Sequence, residues 1–234
     1  MSSFQFRHFR VDQDNSAMKV GTDALLLGAM VSFSGAQEVL EIGAGTGVIS
    51  LMLAQRDPNI RITAVEIDGL SAEDCQSNFL HSEWNERLTL IQGDFLTTNF
   101  EQTFDLIVSN PPFYSDSLQN IDHRKARSRH EAHLPFDKLI DKCAELLSPV
   151  GCLWVVIPIT AHQRVIELCG ERSLFLKTDC SVNGKPGNPV RSILSFSKKR
   201  TDSTKKTVFT IRDTAGNFST EYKVLTAEFH DREL

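Results

Sequence analysis

Short apolar runs alternate with longer amphipathic stretches through most of the first 170 residues, and this alternation constrains the fold most. Strands are predicted at Glu38–Ile42, Arg61–Glu66, Leu88–Gln92, Asp105–Ser109 and Cys152–Ile157. Helices are predicted between them at Val48–Gln55, Leu70–Ser82 and Phe136–Leu147, with a fourth, Ala161–Arg172, after the fifth strand. Apolar strands joined through helices argue an α/β fold, a mostly parallel sheet with helices on both faces. The spacings do not repeat closely enough for a solenoid.

The pattern changes after Arg172. Leu174–Val182 and Val190–Ser197 are strand-like runs separated by NGKPGNP, which reads as an antiparallel hairpin with a long connection. A short strand, VFTIRD, and an amphipathic piece close the chain. Near the start, MKVGTDALLLGAM holds Thr22 and Asp23 where either can cap a short helix. With no Pro- or Ser-rich linker, residues 1–234 read as one domain. It has a leading segment (1–35), a core (36–172) and a C-terminal hairpin and tail (173–234).

At 234 residues, 41% hydrophobic and 24% charged, the chain can build one sizeable core. Disorder, collagen-like repeats and a disulfide-stapled miniprotein are excluded. No apolar run approaches the ~18–20 residues of a membrane span, and the N-terminus lacks the apolar centre of a secretory signal. Five Cys, odd in number and without C-x-x-C, fit reduced thiols in the cytoplasm and offer no metal site. The formal charge is −5, yet residues 121–133 hold four Lys/Arg and three His, and residues 185–206 hold seven Lys/Arg against one Asp. Such local basic faces attract phosphates even on an acidic molecule, although two solvated loops would look the same.

VLEIGAGTGVIS places Gly43, Gly45 and Gly47 between the first strand and a helix, where they permit a tight turn and close ligand approach. A dinucleotide fingerprint would need glycine at the sixth position, which is Val48, and no Walker Lys-Ser/Thr follows. Glu41 ends the first strand, Glu66 the second, and Asp94 follows the third. Singly each reads as a strand-end acid. Together, at the carboxyl ends of successive strands, they outline a ligand crevice. The E-x-G-x-G-x-G run resembles the first motif of class I S-adenosylmethionine-dependent methyltransferases. That resemblance implies a Rossmann-like, mostly parallel seven-stranded sheet with an antiparallel C-terminal hairpin. It implies that Glu66 holds the ribose hydroxyls, Asp94 reads the adenine amine and Glu41 lies near the methionine moiety.

The fourth strand runs into Asn110-Pro111-Pro112-Phe113, which resembles the catalytic motif of methyltransferases acting on adenine N6, cytosine N4 or glutamine amides. Such a nitrogen shares its lone pair with a ring or carbonyl and is a poor nucleophile. The Asn110 side-chain oxygen and the Pro111 carbonyl can each accept one N–H, drawing the nitrogen towards tetrahedral geometry. The prolines hold the carbonyls beforehand, and Phe113 can stack on a planar acceptor. A bland Pro-Pro turn is the alternative for Asn-Pro alone.

FRHFRVDQDNSAMKVGTDALLLGAM, KARSRHE and STEYKVLTAEFH extend the likeness over almost the whole chain. They resemble a bacterial family of tRNA adenine-N6 methyltransferases that modify position 37 of a valine tRNA. This implies S-adenosylmethionine as cofactor, S-adenosylhomocysteine as product, no metal, and the tRNA anticodon stem-loop as partner of a cytoplasmic monomer. It also implies that Met18–Asp23 forms a lid, with Thr22 and Asp23 as polar contacts. Arg124, Lys125, Arg127 and Arg129, with Lys185 and Arg191, are the candidate phosphate contacts. The competing readings are a protein glutamine-N5 methyltransferase, a ribosomal-RNA or DNA adenine methyltransferase, and a non-catalytic cofactor-binding partner. The short N-terminal segment, the lack of a visible DNA-recognition element and the intact Asn110–Phe113 argue against these in turn.

Overall fold

The computed structural model describes residues 2–33, 35–111, 135–200 and 203–230. Two short strands, β1 (Ser3–Gln5) and β2 (Arg10–Asp12), form a separate antiparallel pair ahead of helix α1 (Thr22–Met30). Then come β3 (Glu38–Ile42), α2 (Val48–Arg56), β4 (Arg61–Glu66), α3 (Gly69–Leu80), β5 (Leu88–Gln92) and β6 (Phe104–Ser109). The chain continues through α4 (Phe136–Leu146), β7 (Leu147–Pro158), α5 (His162–Glu171), β8 (Phe175–Lys185), β9 (Asn188–Ser197), β10 (Lys205–Thr210) and α6 (Thr220–Thr226).

The main sheet has the order β10-β8-β9-β7-β6-β3-β4-β5. Every neighbouring pair is parallel except the two that involve β9, so β9 alone runs against the rest. The chain winds outward from β3 through β4 to β5, then returns to the other side of β3 as β6 and continues to β7. The reversal falls between β3 and β6. In open α/β sheets the ligand crevice lies at that switch point, outside the carboxyl ends of the strands.

Period-two alternation supplies both faces of the sheet. Val39, Ile62, Ala64, Trp154 and Val156 face one core with α1, α2 and α3, and the same core takes in Phe6, Phe9, Tyr222 and Phe229. Leu40, Ile42, Val65, Leu153, Val155 and Ile157 face the other, with Leu139, Ile140 and Cys143 of α4 and Val165, Leu168 and Cys169 of α5. Helix α2 is buried continuously from Val48 to Ala54 because α1 covers the side that the sheet does not.

Three expectations need correction. The sheet has eight strands rather than seven, since the tail strand joins it as β10, parallel to β8. Strand β7 starts at Leu147, five residues before the expected Cys152. The connection between β8 and β9 is also short: pairing continues to Lys185↔Asn188, leaving only Pro186 and Gly187 in the turn. Proline presets the first corner, and Gly187 at φ 74° supplies the left-handed second corner, so the Gly/Pro/Asn cluster is a tight turn between bulged strands.

Candidate active site

The crevice begins with the loop after β3. Gly43, Gly45 and Gly47 all have positive φ, at 71°, 56° and 77°. At Gly47 a Cβ would lie 2.5 Å from the Phe79 ring and 2.8 Å from Cys75 Sγ, so α3 packs directly on the loop. At Gly43 and Gly45 a Cβ would meet nothing within 4 Å, which leaves open space in front of the backbone for a ligand. The loop is tied to β4 through Gly43 N and Ala44 N, which donate to the Val65 carbonyl at 2.9 and 3.1 Å.

The three strand-end acids do different work. Glu41 is 1% exposed and accepts from Ser50 N at 2.9 Å and from Ser50 Oγ, so it caps the first turn of α2. Its other oxygen, Oε1, is buried without a partner, and burial pushes the carboxyl up to about 8. Glu66 accepts from Gly45 N at 2.7 Å and Asp68 N at 2.8 Å, and burial raises its carboxyl above the ordinary value. Each Glu66 oxygen keeps a further lone pair for a hydroxyl. Asp94 Oδ1 accepts from Leu96 N at 2.8 Å, and Gly93 N donates to the Glu66 carbonyl at 2.8 Å, which brings the two acids' strand ends together.

Across the switch point, Ser109 pairs in register with Ile42 and its hydroxyl donates to the Ile42 carbonyl at 2.9 Å. Asn110 therefore leaves the sheet beside Gly43. Its Oδ1 is buried without a hydrogen-bond partner among the described residues, and Pro111 is buried next to it. A buried amide oxygen with no donor is costly to the fold unless a ligand supplies one. Pro112, Phe113, Arg124, Lys125, Arg127 and Arg129 lie outside the described residues.

The remaining candidates are placed as follows. Gly21, not Thr22 or Asp23, is the N-cap of α1, and no side chain caps that helix. Asp23 Oδ2 instead accepts from Arg191 Nε at 2.7 Å, an ion pair joining the α1 N-terminus to β9. Lys185 and Arg191 sit at the carboxyl end of the sheet with the crevice, because Arg191 pairs with Val182 and Pro158. The rest of that basic stretch does not: Ser197, just before Lys198, pairs with Cys152 and Phe175 at the opposite end. At ~3.3 Å per residue, the six steps from Arg191 to Ser197 separate the two groups by about 20 Å.

Two residues escaped the sequence reading. Ile67 is 42% exposed between Glu66 and Asp68, an apolar side chain at the mouth of a polar crevice; its only signal was its position after a strand-end acid. Lys142 on α4 donates to the carbonyls of Phe95, Leu96 and Thr98 at 2.5, 3.0 and 2.6 Å and lies over the Phe95 and Phe100 rings. It holds the loop that follows Asp94. Among the described residues, no group of His, Cys, Asp and Glu is arranged to hold a metal ion.

These features meet known proteins at the level of fold and of sequence. A predicted O-methyltransferase of Agrobacterium tumefaciens superposes with a TM-score of 0.67 at 17% identity, over 90% of this chain and 98% of that one. A precorrin-6y C5,15-methyltransferase of Geobacter metallireducens superposes with a TM-score of 0.54 at 16% identity, over 81% and 97%. Both likenesses concern the fold, the Rossmann-like arrangement of class I methyltransferases. In sequence, a tRNA1(Val) (adenine(37)-N6)-methyltransferase of Bacteroides thetaiotaomicron is 39% identical over 97% of this chain and 96% of its own length. Its counterpart in Vibrio vulnificus is 38% identical over 97% and 95%. Residues 15–171 match the methyltransferase small domain, a span that starts within the N-terminal segment and ends at the last residue of α5. With the glycine loop, the strand-end acids and Asn110 at one switch point, the chain belongs to the methyltransferase small domain family and, within it, to the tRNA1(Val) (adenine(37)-N6)-methyltransferases.

Proposed function

We propose that this protein methylates the exocyclic N6 of adenosine 37 in the anticodon loop of a valine tRNA, using S-adenosylmethionine and releasing S-adenosylhomocysteine. The observation that carries it is the buried, unpartnered Oδ1 of Asn110 one step beyond the Ser109–Ile42 register. The cofactor fits what the chain offers: open space over Gly43 and Gly45, unused lone pairs on Glu66 and Asp94, and exposed Ile67 between them.

S-adenosylmethionine supplies an activated methyl on a sulfonium, which departs as a neutral thioether and needs no acid. The chain's task is to orient the amine and exclude water. Asn110 Oδ1 and the Pro111 carbonyl accept the two N6 protons, which tilts the nitrogen lone pair towards the methyl carbon. The methylated nitrogen would hold one proton too many, which would leave to solvent once the product is released. Positioning and fixed dipoles supply the acceleration. Pro112 and Phe113 complete the motif in sequence, and the Phe113 ring would offer the adenine a stacking surface; Gly43, Gly45, Gly47, Glu66 and Asp94 would hold the cofactor, with Thr22 and Asp23 as further polar contacts. Arg124, Lys125, Arg127 and Arg129 follow the motif within about 20 residues, and Lys185 shares its end of the sheet. They hold the loop phosphates while the base is splayed out. No helix of the described residues is long and apolar enough to cross a membrane, and a tRNA substrate places the enzyme in the cytoplasm.

The test uses tritiated S-adenosylmethionine with RNA and protein fractions from cells lacking this protein. Label recovered as N6-methyladenosine at position 37 of valine tRNA is the expected result. Label in protein as methylglutamine would keep the amine chemistry and overturn the substrate. Label in neither fraction would overturn the catalytic reading.

A further inference from the structure

The segment between β2 and α1 has no regular structure, yet Gln13 and Ser16 within it are buried. Its order comes from two polar residues one turn apart on α3. Asp74 is 6% exposed. Its Oδ2 accepts from Asn15 N at 3.0 Å, Ser16 N at 2.8 Å and Ser16 Oγ at 2.8 Å, and its Oδ1 accepts from Asn15 Nδ2 at 2.9 Å. A buried carboxylate is tolerated only when donors surround it, and here two consecutive residues, Asn15 and Ser16, supply all four.

Asn78 completes the attachment. Its Oδ1 accepts from Asp12 N at 2.8 Å, and its Nδ2 donates to the Asp12 carbonyl at 2.8 Å and the Thr46 carbonyl at 2.9 Å. Thr46 belongs to the glycine loop. One amide thus holds the N-terminal segment and the cofactor loop against each other, a task that needs both donors and an acceptor. The segment is also closed on itself. Val20 N donates to Gln13 Oε1 at 2.8 Å, and Lys19 Nζ donates to the Gln13 carbonyl. The result is a braced loop carrying Met18 at 59% exposure and leading directly into α1.

We propose that Asp74 and Asn78 are positioning residues for cofactor capture. They dock residues 12–20 against the glycine loop, so that this segment forms a fixed wall of the crevice rather than a free lid. This rests on the cofactor reading above, but not on which amine accepts the methyl group.

The experiment measures S-adenosylhomocysteine affinity by calorimetry, the S-adenosylmethionine KM and kcat, and melting temperature, all on the full chain well below its melting point. Asp74→Ala is expected to raise KM and Kd about tenfold or more with kcat changed less than about twofold, as loss of several charge-assisted hydrogen bonds implies. Asp74→Asn, which retains one acceptor oxygen for Asn15 N and Ser16, is expected to recover most of that affinity. If Asp74→Ala does not fold, the milder Ser16→Ala removes one donor without stranding a charge and is expected to raise Kd a few-fold. Trypsin cleavage after Lys19 should be slowed by S-adenosylhomocysteine in the native protein, with the protection weakened in the variants. Unchanged Kd and KM with a lowered melting temperature would make the pair a structural staple and overturn the proposal. A fall in kcat with KM unchanged would overturn it too.

Discussion

The two halves of the crevice are built on opposite rules. On the cofactor side, beside β3, β4 and β5, the acids hold backbone donors of their own chain: Glu66 takes Gly45 and Asp68, and Asp94 takes Leu96. These acids are fixed before any ligand arrives, and the proposed cofactor would use the lone pairs that remain. On the other side Asn110 Oδ1 is buried and accepts from none of the described residues. In the proposed reaction that hydrogen bond is left for the acceptor amine. Rigid capture belongs to one half and unspent polarity to the other, so damage to each should have a separable kinetic signature.

The largest expected effect sharpens that division. Asn110→Ala should lower single-turnover methyl transfer by about 10²–10³-fold, the scale for losing one group that acts on the reacting centre. S-adenosylhomocysteine affinity by calorimetry should stay within about twofold. Retained activity would remove Asn110 from the acceptor half. Next come the cofactor acids. Asp94→Ala should weaken S-adenosylmethionine binding about 10-fold, and Glu66→Ala about 10–100-fold because it also releases Gly45. Calorimetry showing native affinity for either would take it out of the site.

A smaller effect tests where RNA lies. Charge reversal at Arg127 with Arg129 should weaken tRNA binding about tenfold and reduce the slope of log affinity against log salt by about 1–2. The same reversal at Lys205 with Lys206, which pair with Thr178 and Asp179 well back from the Lys185 end of β8, should leave that slope unchanged. Equal effects at the two places would mean that tRNA does not approach the carboxyl end of the sheet alone.

What the sequence made legible was local. A glycine loop after a strand, an acid at a strand end and Asn-Pro-Pro-Phe are each written in a few consecutive residues, and the parallel sheet follows from their alternation with helices. The unread features depend on partners far apart in the chain. Asp74 looks like any polar residue on a helix until residues 15 and 16 fold onto it. Lys142 reads as a solvated lysine until the loop after β5 offers it three carbonyls. Arg191 reads as a free phosphate contact, yet it pairs with Asp23, 168 residues away. The continuous basic run 185–206 is divided by the strand it contains, because a strand carries its two ends to opposite edges of a sheet. Pro186-Gly187 is a local turn signal, but the flanking Asn183, Gly184, Asn188 and Pro189 make the loop look longer than it is.

Glu41 is the exception within the cofactor half, and its effect falls on stability rather than on turnover or binding. Its Oε2 holds Ser50, but its Oε1 is as unpartnered as Asn110 Oδ1, and burial drives its carboxyl from an ordinary 4.5 to about 8. The folded chain therefore keeps this proton over a range in which the unfolded chain has lost it. The stability this contributes is fully present below about pH 4.5 and is lost as pH rises towards 8. Each pH unit inside that window removes up to about 1.4 kcal/mol, or about 3–6 °C of melting temperature in a protein of this size. Glu41→Gln keeps an acceptor for Ser50 and has no proton to lose, so its melting temperature should gain on the native protein's from pH 5 to pH 8 and stop gaining above. Parallel melting curves would mean that Glu41 is ionised throughout and that the cofactor half contains no unspent acid.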